Sequence, residues 1–314
     1  MEHRADFAWN RPRFPGILLR SALGIPKNLA GELPMQLWHI LVLAIIQGLA
    51  ELLPVSSSAH VIVTAKLLGY EWASDFDRAF FLVMLHTGTM FSVLIYFWSR
   101  WKQMAKDIPG LILATGCTAV VGLPLIWVIE KLTRQDVEHL FQNLPLIGCS
   151  LLTVGVLIII AGFKDEKKPG TDTNIDMGSA SCIGLTQGLA LPFRGFSRSG
   201  STISSGMLHG VVRHRAEEFS FALAVILTPP IICYEGYKMW KLHAAAPEGA
   251  ASFSALLTPG LLGMLFSFAA GLVALKWLSS WLEHGRWKLF GFYCLVAAAV
   301  VLGVYFLHLG EPPV

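Results

Sequence analysis

The chain has 314 residues, 54% of them hydrophobic and only 14% charged, with a formal net charge of +3. Water-soluble domains carry roughly a quarter charged residues, so this composition excludes an ordinary soluble fold. The small positive excess, without basic-aromatic clusters, gives no basis for nucleic-acid binding. The cysteines (Cys117, Cys149, Cys182, Cys233 and Cys294) all lie in apolar segments without metal-ligand spacing, and read as buried thiols.

Taken in chain order, residues 1–34 carry Arg4, Arg11, Arg13, Arg20, Lys27 and several prolines. Their apolar stretch Ile17–Leu19 is too short for the core of a signal peptide. This segment reads as a tail or an interfacial segment. Beyond it, a hydrocarbon core of about 30 Å takes about 20 apolar residues per spanning helix. Windows at 79–98, 108–129, 144–163, 216–238, 257–278 and 288–309 meet that length. Two other apolar regions are interrupted. Residues 37–70 break at Glu51–Ala59, within ELLPVSSSA, and residues 178–212 break at Pro192–Gly200, within PFRGFSRSG. Pro, Gly and Ser runs stop helices, and irregular backbone at membrane depth survives only inside protein or beside water. Both regions are therefore predicted as re-entrant helix–turn–helix hairpins.

The two hairpins resemble each other. IIQGLAELLPVSSSAH (45–60) echoes GLTQGLALPFRGFSRSGST (184–202), sharing Gln-Gly-Leu-Ala at Gln47 and at Gln187. The order hairpin and three spans, then hairpin and three spans, predicts two repeats, 35–163 and 178–310. A unit that crosses an odd number of times inserts its copy upside down, so the repeat is inverted. Such repeats place a site near the midplane, at broken helices. The expected fold is an all-α integral membrane protein with six full spans and two re-entrant hairpins in an inverted repeat. One set of loops holds Arg100, Lys102, Lys106, Lys164, Lys167, Lys168, Arg213, Arg215, Arg286 and Lys288, against Arg78, Lys131, Arg134, Lys238 and Lys241 on the other side. The positive-inside bias puts the first set in the cytoplasm, although the basic tail then lies outside, against the rule.

Ionisable residues inside apolar windows are costly and mark function. Glu51 lies in the first hairpin, and Arg194 and Arg198 in the second turn. Lys66, Glu235 and Lys276 sit nearer segment ends, where snorkelling accounts for them. RGFSRSGST offers two arginines, the hydroxyls of Ser197, Ser199, Ser201 and Thr202, and amides that lead into a helix N-terminus. Helix N-termini bind anions and arginine matches phosphate oxygens, so this turn reads as a phosphate cradle centred on Arg198. The first turn supplies Glu51 as base or metal ligand, Ser56, Ser57 and Ser58 as nucleophiles or phosphate donors, and His60 as proton shuttle or nucleophile. Gln47, four residues before Glu51, shares its helical face. One carboxylate beside pyrophosphate oxygens suits Mg2+ or Ca2+. His86, in LHTGTM, reads equally as a packed interior histidine or a site residue. Glu217 and Glu218 read as interfacial, helix-capping charges.

At these residues the sequence resembles the bacterial undecaprenyl-pyrophosphate phosphatase family of the bacitracin-resistance type. Its first signature is matched by Gln47, Glu51, Pro54, Ser56, Ser57 and His60, and its second, PGxSRSxxT, by Gly195, Ser197, Arg198, Ser199 and Thr202. The likeness extends through YFWSRW (96–101) and RAEEFSFALAV (215–225). There are departures: Arg194 replaces the proline before Gly195, and the tail is longer than usual. The resemblance implies divalent-cation-dependent hydrolysis of undecaprenyl pyrophosphate to the monophosphate, which recycles the carrier of cell-wall precursors. It implies catalytic roles for Glu51, Ser57 or His60, and Arg198, with Glu51 also at the metal. Gln47, Ser56, Gln187, Arg194, Ser197, Ser199 and Thr202 are the expected substrate-binding residues. The expected location is the bacterial inner membrane, with the site opening to the outer side. A homodimer is the candidate assembly. The architecture alone also suits a polyprenyl-phosphate flippase or secondary transporter, and the phosphate cradle facing Glu51, Ser57 and His60 favours hydrolysis.

Overall fold

A computed structural model describes residues 37–57, 60, 61, 64, 65, 68, 70, 75–134, 143–244 and 253–306. The basic tail, Ser58 and Lys66 lie outside the described residues. The chain forms helices α1 (Leu37–Leu52), α2 (Asp75–Tyr96), α3 (Ile108–Thr133), α4 (Leu144–Lys167), α5 (Met177–Ala190), α6 (Arg198–Leu208), α7 (Arg213–Ala244), α8 (Phe253–Glu283) and α9 (Trp287–Phe306), with single helical turns linking α2 to α3 across 98–107. Among the described residues there is no strand, only a single bridge between Asp172 and Val211.

Six of these helices, α2, α3, α4, α7, α8 and α9, are long and apolar enough to cross a membrane. Their outward faces are apolar, as at Ile112 and Val120, which are 68% and 72% exposed. A water-soluble monomer does not carry so continuous an apolar surface. The chain is thus a multi-pass membrane protein. Pro124, Pro229, Pro230 and Pro259 sit inside spans, where neighbouring helices can satisfy the carbonyls they free.

Local chemistry sets the helix ends. Asn143 caps α4 by accepting from the Leu146 amide at 3.0 Å, and Asp176 caps α5 by accepting from the Ser179 amide at 2.9 Å. Hydrogen bonds from Ser179 hold the Asp176 carboxyl below its ordinary pKa. The helix α5 stops at Ala190, two residues before Pro192, and α6 starts at Arg198 with Ser197 as its cap. With 14 and 11 residues, these helices are about 21 and 16 Å long at 1.5 Å per residue. Neither reaches across a bilayer alone.

Small residues let these short helices sit deep against long ones. A Cβ on Gly48 of α1 would lie 2.6 Å from the Ser267 carbonyl of α8, and one on Gly188 of α5 would lie 2.9 Å from the Thr118 carbonyl of α3. Each glycine follows its matching glutamine. Hydroxyls add polar staples: Ser92 donates to the Phe268 carbonyl at 2.8 Å, and Thr118 donates to the Gly184 carbonyl at 3.0 Å. The largest core cluster joins Leu53 and Val55 after α1 to Ile158, Ile203, Leu275 and Trp287. It lies where α4, α6, α8 and α9 converge, directly behind the two turns.

At one end of the bundle the spans are tied by ion pairs whose carboxylates are buried. Arg215 donates to Asp107 at 2.6 Å and to Glu218 at 2.5 Å, and Arg100 pairs with the other oxygen of Glu218 at 2.5 Å. Arg213 pairs with Asp165, and Ser279 donates to Glu217 at 2.6 Å. Glu217 and Glu218, expected as interfacial caps, are only 2% and 5% exposed. They hold the 98–107 linker and α8 against α7.

Candidate active site

Glu51 stands in the last turn of α1, and the chain reverses immediately after it. Ser56 takes a left-handed conformation, φ 68°, and Gly195 in the second turn has φ 96°. The two turns touch, with the Gly195 amide donating to Ser56 Oγ at 3.1 Å. Glycine is required at this point, because a Cβ there would meet the Ile147 carbonyl at 2.5 Å.

This contact brings the two signatures together around one carboxylate. Arg198 Nη2 donates to Glu51 Oε1 at 2.6 Å. Ser57 Oγ donates to Glu51 Oε2 at 2.5 Å, and Gln47 Nε2 donates to the same oxygen at 3.1 Å. His86 from α2 places Nδ1 3.2 Å from Gln47 Nε2 and 3.6 Å from Glu51 Oε2. Arg194 lies within electrostatic reach of both Glu51 and His86. A cleft between α2 and α7 ends on Glu51, His86 and Arg198 and is walled by Met90, Val93, Phe221 and Val225. Its end is polar and its sides are largely apolar.

The remaining expected residues are distributed as follows. Ser197 caps α6 by accepting from the Gly200 amide at 3.3 Å, and Ser199 Oγ lies 3.5 Å from Ser197 Oγ. Thr202 is fully buried, donates to the Arg198 carbonyl at 2.8 Å and lies 2.6 Å from Ser220 Oγ. It braces the turn of helix that carries Arg198. His60 points elsewhere. Its Nδ1 donates to the Ser56 carbonyl at 2.8 Å, and its Nε2 accepts from the Tyr293 hydroxyl at 2.5 Å. Among the described residues it makes no hydrogen bond to Glu51, Ser57 or Arg198. His86 takes the position beside Glu51. The sequence signal for it was a histidine inside a span, flanked by a glycine that packs on α8.

Gln187, the counterpart of Gln47, is fully buried, and neither side-chain atom has a hydrogen-bond partner among the described residues. The residue four positions later is Leu191, where the first half has Glu51. An unpaired buried amide costs about 1–3 kcal/mol. Gln187→Met keeps the volume and removes that cost. It is expected to raise the thermal midpoint in detergent and to leave turnover within about twofold, an isosteric core swap being mild. A lower midpoint would show that the amide is satisfied in the folded protein.

Among the described residues no group of three or more His, Cys, Asp and Glu side chains is placed to hold a metal ion. Hard divalent cations bound with a phosphate substrate commonly need only one or two carboxylates, because substrate oxygens and water complete the shell. Glu51, at the polar end of the cleft, meets that requirement.

The family model described as bacitracin resistance protein BacA matches residues 40–300. Undecaprenyl-diphosphatase 2 of Acinetobacter baylyi is 49% identical over 284 residues, covering 85% of this chain and 98% of the relative. Undecaprenyl-diphosphatase of Rhodopirellula baltica is 33% identical over 272 residues, covering 85% of this chain and 97% of the relative. The Bacteroides fragilis protein of the same name is 31% identical over 279 residues, covering 86% and 98%. The family model spans both turns and every helix that contributes to the cleft, and the chain belongs to the BacA family.

Proposed function

We propose that this chain is a membrane phosphatase that hydrolyses undecaprenyl pyrophosphate to the monophosphate and inorganic phosphate. The observation that carries the reading is the convergence of Arg198, Glu51 and Ser57 at the end of an apolar-walled cleft. The isoprenyl chain runs along the apolar walls and the pyrophosphate meets the polar end. Arg198 and the N-terminal amides of α6 hold its oxygens, where stabilising charge on the transferring phosphoryl group is the main catalytic task. Ser57 is the nucleophile that the geometry favours, because its hydroxyl already donates to Glu51 and a carboxylate so placed can take its proton. Ser57 Oγ bonds to the terminal phosphorus as the bridging P–O bond breaks, and undecaprenyl phosphate leaves. Glu51 passes the serine proton on with the departing monophosphate. Water then attacks the phosphoserine, giving a proton to Glu51 as the P–Oγ bond breaks, and Glu51 returns that proton to Ser57 Oγ as inorganic phosphate leaves. A divalent cation held by Glu51 would supply further neutralisation of pyrophosphate charge.

The architecture behind this reading is an inverted repeat, 35–163 and 178–310, with re-entrant hairpins at 37–70 and 178–212. Its support is reciprocal packing, in which α1 lies on α8 of the second half and α5 lies on α3 of the first, each through the glycine after the shared glutamine. We place the protein in the bacterial inner membrane, with the site opening outward. The membrane is the one the family resemblance implies, and the outward opening rests on the loop charges.

Phosphate release from undecaprenyl pyrophosphate in detergent tests the reading. Wild type with Mg2+ or Ca2+ is expected to turn over, chelation to stop it, and Glu51→Gln to lose about 100-fold or more while remaining folded. A folded wild type that releases no phosphate with any divalent cation would reject the reading.

A further inference from the structure

The hydrogen bonds around Gln47 fix more than its own position. Its Nε2 faces a Glu51 oxygen at 3.1 Å and His86 Nδ1 at 3.2 Å. The group facing the carboxylate must be the NH2, since an amide oxygen there would repel it. The two hydrogens of that NH2 then serve both neighbours, one to Glu51 and one to His86. The imidazole must accept, so Nδ1 carries a lone pair and the ring proton sits on Nε2. Glu51 does not take a proton from Nδ1 directly, because 3.6 Å is too long for a hydrogen bond, and the carboxylate already receives Arg198, Ser57 and Gln47. The opposite edge of the ring, Nε2–H, has no hydrogen-bond partner among the described residues, and His86 lines the cleft.

We propose that His86 is a catalytic residue of the neutral kind, donating from Nε2–H to a pyrophosphate oxygen, with Gln47 as the positioning residue that sets its tautomer. The proposal rests on the phosphatase reading. Two arginines already bring positive charge to the site, and a neutral donor adds hydrogen bonding without adding to that charge. A neutral histidine can polarise a substrate oxygen in this way. Gln47 thus acts as a relay of orientation: Glu51 orients the amide, the amide orients the ring, and the ring presents its one proton to the cleft.

Two readouts test this. In 15N-histidine-labelled protein, with His86→Gln as the assignment control, the His86 ring should show an unprotonated Nδ1 and a protonated Nε2 at neutral pH. Gln47→Leu, which removes the N–H facing Nδ1, should abolish that preference. In turnover assays His86→Phe should lower kcat on the order of 100- to 1000-fold, as when one strong donor is removed, and His86→Gln, which restores a neutral N–H donor, should recover most of it. A proton on Nδ1 or on both nitrogens overturns the tautomer assignment. A His86→Phe variant that turns over like an active wild type overturns the catalytic role. A wild type that releases no phosphate sinks the phosphatase reading instead, and the ring spectrum still reports on the relay.

Discussion

Arg198→Ala should lower kcat/KM for undecaprenyl pyrophosphate by more than about 1000-fold, beyond the loss expected for one neutral donor. Its guanidinium is the cradle's charge-assisted donor, and it also holds Glu51 Oε1 at 2.6 Å. Removing it withdraws the positive contact from the phosphoryl oxygens and frees the carboxylate that orients Ser57 and Gln47. Arg198→Lys keeps the charge without the planar fork and should recover only part of the loss. The check is steady-state phosphate release by Arg198→Ala, Glu51→Gln and the double variant, each verified as folded by its elution profile and thermal midpoint. Residues that act as a unit lose activity non-additively, so the double variant should be little worse than the poorer single one. Losses that multiply would mean that the two side chains act independently, against the geometry of the site.

The second large effect concerns stability, at the charged first turn of α7. Arg215 is 7% exposed and joins Asp107 and Glu218 while also donating to the Thr173 carbonyl at 2.9 Å. Arg215→Ala strands the Asp107 carboxylate, 5% exposed, without its partner. Breaking a buried pair from one side costs about 3–5 kcal/mol. The expected outcome is a sharply lower thermal midpoint and loss of monodisperse material in detergent. Adding Asp107→Asn should return part of the loss, because it removes the stranded charge. An unchanged midpoint in Arg215→Ala would mean that the network is solvated and contributes little.

Much of the fold could be read in the sequence because membrane constraints are severe. Uninterrupted apolar windows became spans, and the helices run past the predicted limits mainly at polar ends such as Lys164–Lys167 of α4. The breaks were equally legible: Pro192 and the Ser-Gly run stop α5 and start α6 within the predicted segment. The candidate site was legible where local motif and chemistry coincided, at Glu51, Ser57 and Arg198. His86 was legible only as one of two equal readings, a packed interior histidine or a site residue, because nothing in the sequence around it shows that α2 passes beside the end of α1. The partners of His60 were hidden for the same reason, since Tyr293 lies 233 positions away on α9. Glu217 and Glu218 misled because a charge near a predicted span end is ordinarily solvated. Only tertiary packing covers them with the 98–107 linker and α8.

The Glu51–Arg198 pair spans 147 positions, and that separation has a consequence for biosynthesis. The ribosome delivers the first turn to the bilayer well before the second exists. Throughout that interval Glu51 lacks its cation and Ser56 lacks the Gly195 amide. A chain released early therefore carries an incomplete site, and hydrolytic competence appears only when synthesis has passed Arg198 and both turns have closed on each other.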